Sequence, residues 1–303
     1  MSRTAIGKVE KNITASKRTK RLVSIVVPVY NEVETAEKIL RDIIQVMKDG
    51  RAAFEVIAVD DGSDDGSLQN VRLPNVRVIR HEKNRGYGAA VKTGIRHAQG
   101  EAVIITDADG TYPISQIPRL LDVYWEKDCD MVVGARTGEQ ASIPIVRRPA
   151  KWVVNKLANV LSGVRIPDLN SGLRVMKKDV LETYIRMLPD GFSLTTTITL
   201  AMLTNGFEVE YVSIDYYKRR GNSKIRPFAD TLGFVQLILR TIVFFNPMKI
   251  FFPLSMVFFL LGFGFLVRDL IRLNLAQTSV FLLMSGGLIL AIGLLADLIT
   301  RKL

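Results

Sequence analysis

Short apolar runs alternate with polar, amphipathic stretches through residues 22–136. The run Leu22–Val29 gives way to Tyr30, Asn31 and Glu32, which predicts a buried strand, a loop and a helix reaching about residue 48. Residues 54–59 repeat the pattern and end in Asp60-Asp61-Gly62-Ser63. A third strand is predicted at 76–79, followed by the polar stretch 81–88 and a helix through about residue 98. The fourth, 102–106, ends in Asp107-Ala108-Asp109-Gly110, and the fifth, Met131–Ala135, follows a helix predicted around 115–126. Strands alternating with helices predict an α/β domain with a Rossmann-like, mostly parallel sheet and helices on both faces. Its strands are apolar without alternation, as strands covered on both sides must be.

After Arg136 the rhythm changes. Helices are expected at 147–161 and 192–205, short strands at 173–176 and 208–216, and a loop at Asp168-Leu169-Asn170-Ser171-Gly172. Residues 229–245 carry Leu232, Val235, Ile238, Leu239 and Ile242 at helical spacing, with Gln236 and Arg240 on the polar side. This segment reads as a helix lying in a membrane interface, the alternative being a helix docked on the domain. Beyond it, 250–267 and 273–296 contain no charged residue. As helices they would extend roughly 27 Å and 36 Å, against a hydrocarbon core of about 30 Å. Two transmembrane helices joined by the short loop 268–278 are therefore expected. The resulting organisation is a basic tail at 1–21, a catalytic domain at 22–228, an interfacial helix at 229–248 and a membrane hairpin at 249–303.

Charge gives that hairpin an orientation. Arg240 and Lys249 precede it and Arg301 and Lys302 follow it, which places both ends and the catalytic domain on the cytoplasmic side. Residues 1–21 are polar, so no secretory signal is expected there. The net charge of +11 is concentrated partly in that tail and partly in 218–226. Beside a membrane hairpin it suits anionic lipid or phosphate better than nucleic acid. One cysteine, Cys129, excludes an intrachain disulfide, and two histidines, His81 and His97, leave little material for a zinc site or a histidine triad.

Three polar loops, at Asn31/Glu32, Asp60/Asp61 and Asp107/Asp109, lie just past strand C-termini, the edge where open α/β sheets bind ligands. An Asp-x-Asp spacing is weak by itself, since 18 aspartates make a chance pair unsurprising and Asp128-Cys129-Asp130 is one. That pair precedes its strand, on the wrong edge. Residues i and i+2 leaving a strand point the same way, so Asp107 and Asp109 can face one hard cation, Mg²⁺ or Mn²⁺, completed by a diphosphate. Asp60 and Asp61 can accept hydrogen bonds from a base or ribose. Val71 stands where an EF-hand loop beginning at Asp60 needs its glutamate, so that reading fails. Lys83-Asn84-Arg85-Gly86-Tyr87-Gly88 opens a helix and can face phosphate, but lacks the full dinucleotide fingerprint.

These segments occur in the order seen in family 2 glycosyltransferases of the GT-A fold. Val27-Pro28-Val29-Tyr30-Asn31-Glu32, Val59-Asp60-Asp61-Gly62-Ser63, Asn84-Arg85-Gly86-Tyr87-Gly88 and Asp107-Ala108-Asp109-Gly110 carry the resemblance. Gly134-Ala135-Arg136, Asp168 to Arg174, and Arg220-Gly221-Asn222-Ser223-Lys224 extend it to the polyprenyl-phosphate branch, which includes dolichol-phosphate mannosyltransferases. It implies transfer of a hexosyl group from a UDP- or GDP-linked sugar to undecaprenyl or dolichyl phosphate, metal-dependent and inverting. It further implies that Pro28, Tyr30, Glu32 and Asp60, with Asp61, Lys83, Gly86 and Ala108 beside them, line the nucleotide-sugar site. Asp107 and Asp109 would hold the metal, Arg136 with Arg147 or Arg148 the acceptor phosphate, and Lys218 and Lys224 would close over the diphosphate. Some relatives have Gln as a further metal ligand where this chain has Thr111. Asp168 is the candidate base or acceptor-orienting carboxylate.

Two rival functions are a processive polysaccharide synthase and a catalytically inactive, membrane-bound sugar-nucleotide sensor. The first would need a Gln-x-x-Arg-Trp motif near an interfacial helix, whereas Gln116-Ile117-Pro118-Arg119-Leu120 lacks Trp and comes too early. The second fits poorly with an intact Asp107 and Asp109. Glycine pairs at 262/264 and 286/287 suggest close helix packing and a homo-oligomer through the membrane helices.

Overall fold

The computed structural model describes residues 21–50, 52–138, 156, 158–159, 163–217, 238–240, 242–274 and 276–300. Strands β1 (Leu22–Val29), β2 (Ala53–Asp60), β3 (Val76–Arg80), β4 (Ala102–Ile105), β5 (Met131–Ala135), β6 (Arg174–Lys177) and β7 (Val209–Ser213) form one sheet. Their order is β3-β2-β1-β4-β6-β5-β7. Helices α1 (Ala36–Lys48), α2 (Tyr87–His97), α3 (Ile117–Lys127) and α4 (Lys178–Tyr184) belong to this unit. A second unit contains α5 (Leu194–Thr204), α6 (Met248–Ile271) and α7 (Gln277–Thr300).

The five strands expected up to residue 136 all form, and β1 and β5 have the expected bounds. β1 pairs in parallel with β2 and β4, and β2 with β3. In register, Val29 lies beside Asp60 and Val26 beside Ile105, so the polar strand ends gather at one edge. The sheet is not wholly parallel: β6 lies antiparallel between β4 and β5, with Arg174 opposite Ile105 and Val133. Because β6 runs backwards, the residues before it, Ser171 to Leu173, arrive at the C-terminal edge of β4. The short helix α4, which has no counterpart in the sequence expectation, follows β6 directly.

Under the sheet, Val23, Ile25 and Val27 of β1 pack in a cluster with Ile39, Leu40 and Ile43 of α1 and Ile117 and Leu120 of α3. Cys129 is buried in the same cluster. Burial pushes its thiol up to about 11, so little thiolate exists near neutral pH. Maleimide at pH 7.5 should therefore leave the native protein unlabelled and label it once denatured. Equal labelling rates in both states would show that this part of the core is open.

In the second unit, α6 and α7 are each 24 residues long, and only 11% and 17% of their most apolar windows are buried. Both are long and apolar enough to cross a membrane, and their exposed apolar faces do not fit a soluble core hairpin. α6 extends past Arg268 and Asp269, although charge was expected to end it near residue 267. Asp269 explains the extra turn. Its buried carboxylate accepts from Arg268, at 3.2 and 2.8 Å, and from the Ala276 N–H at 3.1 Å. Arg268 also covers the Phe265 ring. The turn between the helices is thus closed by one carboxylate. A Cβ on Gly262 would meet Leu283, and one on Gly286 would meet Phe259, so these glycines serve packing within the hairpin.

The described part of the expected 229–248 helix is helical at 238–240 and 242–245. Ile238 and Ile242, one turn apart, are fully buried, so that stripe is covered by protein. The helix expected at 147–161 falls almost entirely outside the described residues, as does the basic tail.

Candidate active site

The loop after β1 and the loop after β2 are tied together by side chains. Asn31, in the left-handed region at φ 56°, donates its N–H to the Ser63 hydroxyl oxygen, and its Oδ1 accepts the Asp64 N–H. The Glu32 N–H donates to Ser67 at 2.8 Å and the Val33 N–H to Asp65 at 3.0 Å. Burial works to raise the Asp65 carboxyl, but bonds from the Ser67 hydroxyl and from the Ser67 and Val33 N–H groups outweigh it and hold it below its ordinary value. Turns follow Asp65, not a helix. Tyr30 stands 43% exposed at the rim, Pro28 is buried in β1 and Glu32 is half-buried.

Asp60 and Asp61 are both buried but have different partners. Asp60 accepts the Ser63 N–H at 2.8 Å and lies 3.3 Å from Arg80. Asp61 accepts from the His81 ring at 2.7 Å, the Arg85 N–H at 3.0 Å and the Gly86 N–H at 2.8 Å. His81 bonds in turn to the Thr93 hydroxyl, a structural use of the histidine. The backbone donors of Arg85 and Gly86, which the sequence offered to phosphate, are thus turned towards Asp61. Lys83 is exposed. A Cβ on Gly88 would stand 2.2 Å from the Pro189 carbonyl oxygen, so the glycine there serves close packing of the 188–192 loop.

Asp107 and Asp109 leave β4 on either side of the buried Ala108, each half-buried. Asp109 accepts the Thr111 hydroxyl at 2.6 Å and the Thr111 N–H at 3.1 Å. Thr111 is fully buried and holds Asp109. Asp107 faces Gly172: a Cβ there would be 2.9 and 3.0 Å from its two carboxylate oxygens. The Gly172 N–H donates to the Tyr112 hydroxyl at 2.6 Å. Burial raises the Tyr112 phenol above its ordinary value, Arg136 opposes that, and Asp107 adds to it. Arg136 itself lies over the Tyr216 ring, 5.1 Å from the centroid, and Tyr216 packs edge-on against Tyr112. Arg136, Tyr112, Gly172 and Asp107 therefore form a connected set.

Three further residues at this edge received no role from the sequence. Arg174 is fully buried and donates to the Ser171 carbonyl. The Tyr87 hydroxyl is buried beside Asp107, Tyr112 and Arg174. Tyr216 supplies the ring under Arg136. A charged residue inside the apolar run 173–176 was a visible signal for Arg174, because a buried guanidinium is costly without a partner. Nothing in the spacing pointed to the tyrosines.

Asp168 is fully buried in the second unit, where it accepts the Asn170 N–H at 3.3 Å, and Asn170 accepts the Thr196 hydroxyl. Arg147, Arg148, Lys218 and Lys224 lie outside the described residues. Among the described residues no three His, Cys, Asp or Glu side chains gather as a closed metal site. Two hard carboxylates at the ligand edge fit a divalent cation that takes its other ligands from a diphosphate and water.

This sheet, with an aspartate pair at its ligand edge, defines a GT-A glycosyltransferase. The chain belongs to glycosyl transferase family 2, whose pattern matches residues 24–185, and the GtrB C-terminal hairpin pattern matches 246–302. A dolichyl-phosphate hexose transferase of Haloferax volcanii is 33% identical over 208 residues, covering 68% of this chain and 88% of its own. An undecaprenyl-phosphate 4-deoxy-4-formamido-L-arabinose transferase of Edwardsiella ictaluri is 30% identical, covering 94% of this chain and 90% of its own. Among solved structures, glucosyl-3-phosphoglycerate synthase of Mycobacterium tuberculosis, in complex with Mn²⁺, UDP and phosphoglyceric acid, matches with a TM-score of 0.58 at 20% identity. That match covers 78% of this chain and 81% of the other, a likeness of fold.

Proposed function

We propose that the protein transfers a hexosyl group from a UDP- or GDP-linked sugar to a polyprenyl phosphate at the cytoplasmic membrane face. The observation that carries this reading is the likeness, across 94% of the chain, to an undecaprenyl-phosphate sugar transferase. The apolar hairpin supports it, because a long polyprenyl tail keeps its phosphate at the bilayer surface.

A phosphate acceptor changes what the site must do. Its oxygen is already anionic near neutral pH, with a second pKa of about 6, so attack needs no strong base. The task is to bring two anions together. Arg136, which lies over the Tyr216 ring, is assigned to the acceptor phosphate, with Arg147 or Arg148 assigned to the same anion. Lys218 and Lys224 are assigned to the donor diphosphate, and Pro28, Tyr30, Glu32 and Asp60 to the nucleoside. Asp168, four residues before Gly172, is assigned to orienting the acceptor. Asp107 and Asp109 would hold Mg²⁺ or Mn²⁺, which when bound offsets charge on the departing nucleoside diphosphate. The acceptor oxygen forms the new bond to the anomeric carbon as the bond to the diphosphate breaks, which inverts the configuration.

Membranes containing the protein, given labelled UDP- and GDP-hexoses and polyprenyl phosphate, should move label into the organic phase. Label found only in insoluble polymer would favour a polysaccharide synthase, and binding without turnover a sensor. Retained anomeric configuration would sink the single displacement.

A further inference from the structure

Tyr87 is the first residue of α2, and its ring is fixed from several directions. Outside, it stacks on Phe192 with centroids 5.6 Å apart and planes 14° apart, and Phe192 is itself 80% exposed. Below, its neighbour Gly86 is fastened to Asp61, while the Ala89 N–H donates to the Asp190 carbonyl at 3.0 Å. Lys92 locks the same loop through the Leu188 carbonyl and the Asp190 carboxylate. This scaffold drives the phenol oxygen inward, where it is buried beside the Asp107 carboxylate without a well-formed hydrogen bond. A phenol is protonated near neutral pH, so towards a carboxylate it can only be a donor.

A buried hydroxyl in this state costs stability, and phenylalanine would fill the same space without that cost. We propose that Tyr87 is a positioning residue for the metal pair: its hydroxyl donates to Asp107 and, with Gly172 packed close to the same carboxylate, holds it in the orientation a divalent cation requires. Such a bond is loose before the ligand arrives and shortens once the carboxylate is engaged, as active-site hydrogen bonds commonly do. Groups that orient a ligating carboxylate in this way tune metal affinity without touching the metal. The inference rests on the assignment of a cation to Asp107 and Asp109.

The test is Tyr87→Phe in the full chain, solubilised in detergent. This variant keeps the stack on Phe192 and removes only the hydroxyl. Mn²⁺ binding would be followed by electron paramagnetic resonance with UDP, and in parallel with GDP. Mn²⁺ affinity should fall about tenfold to a hundredfold, while the melting temperature stays the same or rises. A role confined to packing would leave Mn²⁺ affinity within twofold of the original, and that result overturns the proposal. If the original protein binds no Mn²⁺ with either nucleotide, the metal assignment itself falls and this inference falls with it.

Discussion

Asp109→Asn should lower the rate of sugar transfer about a thousandfold, because a metal-held leaving group gains several kcal/mol of charge stabilisation that an amide cannot replace. The substitution is nearly isosteric. Asn keeps an oxygen that can accept the Thr111 hydroxyl, so the local turn at 109–111 has no reason to open. The melting temperature and circular dichroism should therefore be unchanged while turnover disappears. The result also separates the two Asp-x-Asp spacings: Asp130→Asn, at the opposite edge of the sheet, should leave turnover untouched. Full activity in Asp109→Asn, across a range of Mg²⁺ and Mn²⁺ concentrations, would remove the metal from the mechanism.

Gly172→Ala should cost about a hundredfold in turnover, the order expected when a reacting group is displaced by about an ångström. The added methyl would stand within 3.0 Å of both Asp107 oxygens, and the carboxylate must rotate or the residues leading into β6 must move. Either response misplaces half of the aspartate pair proposed to hold the metal. The Gly172 N–H is also bonded to Tyr112, which resists movement of the backbone and directs the strain to Asp107. Stability should fall modestly, by about 1–3 kcal/mol, as for other overpacked sites. A rate equal to that of the unchanged protein would mean that Asp107 has free space elsewhere and that Gly172 is not needed by the site. Measuring rate and melting temperature together distinguishes displacement of the carboxylate from loss of the fold.

Much of the scaffold could be read from pattern alone. Apolar runs at strand length, ending in polar residues, are enough to predict β1, β2, β4 and β5 and the edge where Asp60 and Asp107 emerge, because burial on both faces leaves no other use for such runs; β3, at the sheet edge, is mostly exposed and carries Arg77. Two long uncharged segments likewise marked α6 and α7, although Asp269 let α6 continue beyond its expected end. Local periodicity carries that information, since each residue's neighbours in sequence decide it.

The composition of the site depended on contacts distant in sequence. Asp61 was legible as an acid at a strand end, but its three partners at 81, 85 and 86 make it a clasp for the α2 loop. Thr111, which stands where some relatives have a Gln, is a buried donor to Asp109. The chain by itself therefore determines the strand-and-helix alternation, the apolar hairpin and the aspartate pair that can take a cation. The reversed insertion of β6 determines the rest. It carries Gly172 and Arg174 to the end of β4, next to Asp107, and no periodicity within either strand records which strand will lie between which others.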